Sequence, residues 1–69
     1  MELCSEMMAN VWKVVVNVGD TVEEGDTVVI LESMKMEIPV VAESAGTVRE
    51  INVSEGGTVE EGQVVAVIE

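Results

Sequence analysis

Lys35 is the residue whose type and setting could do chemistry. It is one of two lysines in a chain of 69 residues. Met34 and Met36 flank it, with Glu32 and Ser33 before them and Glu37 after. A lysine amine is a nucleophile only when neutral, a form that is scarce at pH 7 in an unassisted lysine. The sequence has no histidine and nothing else suited to act as a base for Lys35. The chain therefore offers an amine that another protein must activate, and contributes no catalytic residue of its own. A solvated turn lysine beside gap-filling methionines is the bland alternative. It leaves the methionines unexplained, because exposed apolar side chains at a turn tip are costly unless something uses them.

Two apolar runs must position this stretch. Val28-Val29-Ile30-Leu31 leads in and Ile38-Pro39-Val40-Val41 leads out. Both read as strands, so the six residues from Glu32 to Glu37 are expected to form a tight reversal with Lys35 at its crown. Ile38, Val40 and Ala42 fall on one face. Pro39 cannot donate a ladder hydrogen bond, so its nitrogen is expected to face outward or to lie at an edge.

With these residues in view, Ser33-Met34-Lys35-Met36 resembles the attachment hairpin of the biotinyl/lipoyl attachment domains, in particular single-domain biotin/lipoyl attachment proteins and the carrier domain of biotin-dependent carboxylases. The resemblance runs from about Met7 to Glu69. It implies biotin in amide linkage to Lys35, with Met34, Met36, Glu32 and Ser33 as the residues that present it. It implies a biotin protein ligase as loading enzyme, and biotin carboxylase and carboxyltransferase components as later partners. Lipoyl domains share the fold but usually place aspartate before the lysine and alanine after it, so methionine on both sides favours biotin. A lipoyl carrier of a 2-oxo acid dehydrogenase or glycine-cleavage system, or a protein accepting both groups, is the alternative. An unmodified interaction module is the third.

The remaining strands follow from the same patterning. Leu3 to Glu6 suggests a short first strand, Val11 to Val16 a second, Val48 to Val53 and Val64 to Ile68 the last two. Turns fall at Val18-Gly19-Asp20, Glu23 to Asp26, Ser44-Ala45-Gly46 and Ser54 to Gly57. Sixteen valines, one tryptophan and no phenylalanine or tyrosine indicate a small β core of branched side chains.

The chain also repeats itself. Gly19-Asp20-Thr21-Val22-Glu23-Glu24-Gly25 matches Gly56-Gly57-Thr58-Val59-Glu60-Glu61-Gly62 at an offset of 37 residues (56 − 19 = 37). At that offset Val11 meets Val48, Val14 meets Ile51, Val16 meets Val53 and Glu32 meets Glu69. Two copies in so short a chain fit a two-fold pseudosymmetric sandwich, since a solenoid needs at least three repeats. The expected fold is all-β: a single domain over residues 1–69, a flattened antiparallel barrel or sandwich of two four-stranded halves. The counterparts of Ser33 to Met36 would come after Glu69, so the two-fold places the termini opposite the hairpin. Ala9 stands where the second copy has Gly46. If a positive φ is required there, alanine is strained by roughly 1 kcal/mol, and Ala9→Gly would be neutral or stabilising.

Composition narrows the partners. The net charge of −11 disfavours nucleic acid, which is bound by cationic neutralisation of phosphate, and disfavours an anionic membrane surface. It favours partners with basic docking surfaces. Cys4 is the only cysteine, so no internal disulfide forms, and the scarcity of cysteine and histidine argues against a transition-metal site. A single free thiol fits a reducing cytoplasm, the start does not read as a secretory signal, and no apolar run approaches the roughly 20 residues of a membrane span, so the expectation is a cytoplasmic domain with no membrane partner, itself monomeric. No proline- or alanine-rich linker is present, which fits both a free-standing domain and one cut from a longer chain. Lys13 lies within a strand and lacks the flanking pattern of Lys35. Trp12 reads as a half-buried packing residue and Cys4 as an ordinary thiol near the chain's start.

Overall fold

Valine-rich segments that alternate or run continuously apolar form strands throughout. The computed structural model describes residues Met1–Glu69 and contains eight of them: β1 (Glu2–Cys4), β2 (Ala9–Val14), β3 (Thr21–Val22), β4 (Thr27–Ser33), β5 (Met36–Val41), β6 (Gly46–Ile51), β7 (Thr58–Val59) and β8 (Val64–Ile68). They make two antiparallel four-stranded sheets, ordered β1-β8-β6-β3 and β5-β4-β2-β7. No helix is long and apolar enough to cross a membrane.

The 37-residue repeat holds through the whole fold, but the copies are interleaved and not stacked. Strands β1 to β4 are the counterparts of β5 to β8, and each sheet takes two strands from each copy. The registers correspond residue for residue. Val11 faces Leu31 as Val48 faces Ile68, and Val14 faces Val29 as Ile51 faces Ala66. Even the β-bulges coincide, between Val11 and Lys13 and between Val48 and Glu50. The positive-φ glycines fall into the same pairs: Gly19 with Gly56, and Gly25 with Gly62. The bulge turns Trp12 outward with 51% of its surface exposed, so half of it packs. Pro39 lies on β5, at the edge of its sheet.

The core lies between the sheets and repeats as well. Val11/Val48, Val22/Val59, Val28/Val65, Val29/Ala66 and Leu31/Ile68 are buried pairs. Interleaving explains why neither copy could be stable alone: half of each sheet would be missing, and with it the partner for every inward face. The sheets do not close into a barrel. β1 and β5 run as the neighbouring edges of the two sheets with no ladder between them, so the architecture is a sandwich.

Three sequence expectations change. The strands corresponding to Val11–Val16 and Val48–Val53 begin and end two residues earlier, at Ala9–Val14 and Gly46–Ile51. The first strand is likewise Glu2–Cys4. The third concerns Ala9, which has no positive φ, and neither has Gly46. Gly46 is needed for another reason: a Cβ there would collide with the backbone oxygen of Glu69 and come within 2.8 Å of Ile68 Cγ2. Ile68 corresponds to Leu31, which has no γ2 methyl, so Ala9 is free of that second clash. Ala9 is buried within β2, opposite Val59. The expected sign therefore reverses. Ala9→Gly should destabilise by about 1–1.5 kcal/mol, from backbone entropy and a lost buried methyl. Urea unfolding would measure it, and a neutral or stabilising result would mean that the Ala9 backbone is strained after all.

Termini and hairpin occupy corresponding places in the two halves. Met1 donates its amino group to Ile68 O at 2.7 Å, and Glu69 exchanges backbone hydrogen bonds with Thr47. The hairpin instead lies beside Met8, Ala9 and Asn10, the counterparts of Ala45, Gly46 and Thr47. Lys35 and the chain ends are thus held at opposite positions of the pseudo-two-fold.

Candidate functional site

The tip is tighter than the apolar runs suggest. The β4–β5 ladder does not stop at Leu31 and Ile38 but continues through Glu32↔Glu37 to Ser33↔Met36. Only Met34 and Lys35 remain in the turn. A two-residue hairpin of this kind needs left-handed backbone at both central residues, which is why asparagine and glycine dominate such turns. Here Met34 has φ 53° and Lys35 φ 65°, the only non-glycine residues of the chain with positive φ. Each costs on the order of 1 kcal/mol relative to a residue suited to the region.

Two further features act against the hairpin's stability. Glu32 and Glu37 are directly opposite each other, and like charges in cross-strand pairs are unfavourable. Met34 is 91% exposed and Met36 63% exposed, so both apolar side chains stand in water. Lys35 is also exposed, and no side-chain hydrogen bond of the molecule involves it. All five residues singled out from the sequence are together at this one tip, with Ser33 half-buried at its closing pair. Lys13 lies elsewhere, exposed in β2 opposite Ile30.

The tip is therefore a place where the local sequence opposes the local structure, while the strands beneath it are fully consistent with theirs. Such conflicts concentrate where residues serve something other than folding. Replacing Met34-Lys35 with Asn-Gly should raise stability by about 1–2 kcal/mol, read as a rise of several degrees in melting temperature. An unchanged or lower melting temperature would show that the turn carries no strain.

The family model described as "Biotin-requiring enzyme" matches residues 3–68. The chain belongs to the biotin/lipoyl family. Among relatives, the Biotin/lipoyl attachment protein of Bacillus subtilis is 53% identical over 51 residues, covering 74% of this chain and 70% of that protein. The Biotin carboxyl carrier protein of Streptococcus mutans is 56% identical over 45 residues, 65% of this chain and 35% of that protein. Among solved structures, the Kluyveromyces lactis urea carboxylase contains a segment that superposes on the whole chain with a TM-score of 0.95 and 46% identity, while the chain covers 6% of that enzyme. The biotin/lipoyl domain described here thus corresponds to most of one small relative and to a minor part of the larger ones.

The sequence pointed to Lys35 and its neighbours because motif and repeat coincide there. It gave no sign of Met7 and Met8, which are brought beside the same hairpin: Met7 lines a cleft with Met36, and Met8 lines another with Met34. The signal that could have found them is the repeat itself, since the second copy has Ser44 and Ala45 at those places.

Proposed function

We propose that this chain is a biotin carboxyl carrier, loaded at Lys35 by a biotin protein ligase and served in turn by biotin carboxylase and carboxyltransferase components. The observation that carries this reading is the tip: an exposed, unpartnered lysine between two exposed methionines, on a turn built against its own stability. When bound, biotin supplies the carrier chemistry, holding a carboxyl group in transit between two active sites. The chain's own residues do the presenting. The β4–β5 ladder holds the tip on a packed sandwich, so the amine is offered with little ordering cost on encounter. Met34 and Met36 give adaptable apolar contacts that suit several partners in succession. No side chain hydrogen-bonds the Lys35 amine, so the base that takes its proton must come from the ligase. The domain is accordingly a carrier, and catalysis belongs to its partners.

The Bacillus subtilis relative is a biotin/lipoyl attachment protein, which supports lipoate as a second cargo for the same amine. Methionine on both sides of Lys35 keeps biotin first. Intact-mass measurement after co-expression with a biotin protein ligase, and separately with a lipoate ligase, tests both. The expected result is a single biotinyl adduct. An unmodified mass in both cases would leave the domain an unmodified interaction module and overturn the reading.

A further inference from the structure

The pseudosymmetry offers an internal control for every surface position. Buried core positions stay apolar at the 37-residue offset, so an exposed place where one half carries large apolar side chains and the other small or polar ones calls for a reason beyond the core. Met7 and Met8 are such a place. Their counterparts, Ser44 and Ala45, lie at the end where the termini meet: Ser44 Oγ is 3.8 Å from Met1 Sδ. At the hairpin end the same two positions carry large apolar side chains, 42% and 71% exposed.

Met7 and Met8 straddle the hairpin. One cleft is lined by Met7 and Met36, the other by Met8 and Met34. Four of the five methionines of the chain therefore line the two clefts that meet the hairpin. The backbone beneath them is pinned by a second departure from symmetry. Ser5, the one buried polar residue, has Ala42 as its counterpart. Its hydroxyl donates to Met7 O at 2.5 Å and lies 3.4 Å from Met7 N.

We propose that Met7 and Met8 extend the recognition surface of the tip, forming with Met34 and Met36 the patch on which the enzyme that acylates Lys35 seats. This rests on Lys35 being the acylated residue. Any enzyme that acylates an amine on a two-residue turn must enclose the turn, and each cleft begins at a methionine that flanks it, Met36 in one and Met34 in the other. Acids rim the patch: Glu6 beside Met7 on one side, Glu32 and Glu60 on the other. The fitting partner surface is an apolar socket with a basic border. A second copy of this chain does not fit, because two chains of −11 repel.

The test gives the hairpin end the residues of the other half. Met7→Ser with Met8→Ala is loaded by purified biotin protein ligase with ATP and biotin, alongside wild type, Met7→Leu with Met8→Leu, and Val18→Ser. Val18 is 63% exposed and lines neither cleft, so it controls for loss of exposed apolar surface in general. The Ser/Ala variant should raise KM for the domain about tenfold, the size expected for removing anchoring apolar contacts. Its kcat and melting temperature should hold, and the Leu/Leu and Val18 variants should match wild type. An unchanged KM in the Ser/Ala variant, with wild type loaded normally, overturns this inference alone. Sedimentation showing a wild-type dimer that the Ser/Ala change dissociates, with KM unchanged, would assign the patch to a second copy and overturn it too. Wild type that is never loaded removes the Lys35 assignment and this inference with it.

Discussion

Lys35→Arg is expected to abolish acylation of the domain while leaving its melting temperature within about 2–4 °C of wild type, in line with the roughly ±0.5 kcal/mol of ordinary surface changes. The side chain is exposed and makes no hydrogen bond that the substitution would break. Its backbone φ of 65° is no worse for arginine than for lysine, since neither has a β-branch. Arginine keeps the positive charge, so steering toward a basic-bordered partner is unaltered. What changes is the nucleophile: a guanidinium stays protonated and does not attack an activated acyl group. Lys13→Arg is the matched control. It sits in β2 opposite Ile30, away from the hairpin, and should load at the wild-type rate. Biotin incorporation into both variants with one ligase preparation reads the result. Label retained in the Lys35 variant and lost in the Lys13 variant would transfer the site to Lys13.

The repeat makes much of this legible in the sequence. Matching Gly19–Gly25 to Gly56–Gly62 predicts two-fold pseudosymmetry, the central place of Lys35 and its separation from the termini, and the registers of β2–β4 and β6–β8 bear out the offset to the bulge. Other features were out of reach for identifiable reasons. β3 and β7 are two residues long, too short for an alternating pattern to register. Interleaving leaves no mark on the sequence, because stacked and exchanged copies bury the same residues. Glu32, Ser33 and Glu37 are polar and interrupt the two apolar runs, so hydropathy places the stretch between the runs in a loop. The ladder holds them through backbone hydrogen bonds, which hydropathy does not report. The Ala9 and Gly46 difference is not a matter of φ. It arises from a contact 23 residues along the chain in one copy (69 − 46 = 23), a close approach that composition cannot express.

Leu31→Ala and Ile68→Ala should each destabilise the domain by about 2–5 kcal/mol, yet only through folding and not through the chemistry of the tip. Both side chains are fully buried, at 1% and 2% exposure, and are counterparts in the repeat. Each loses transfer free energy and leaves a cavity that the neighbouring strands only partly fill. In a domain of this length, which buries only about 60% of its unfolded surface, a loss of that size corresponds to roughly 10–30 °C in melting temperature. The two sites differ in what lies above them. Leu31 is on β4, paired to Ile38, and lines the cleft that includes Met36. Ile68 is on β8, hydrogen-bonded to Met1 at the other end. Because the tip is held by a ladder and presents an amine without precise catalytic partners, both variants should load at a rate set by their folded fraction alone. Loading measured well below each melting temperature should therefore match wild type for both. A drop of under about 1 kcal/mol at either site would mean that the core between the sheets is loosely packed there. A Leu31 variant that stays folded but loads slowly, beside an Ile68 variant that loads normally, would mean that the core sets the geometry of the tip and that presentation is not the work of the ladder alone.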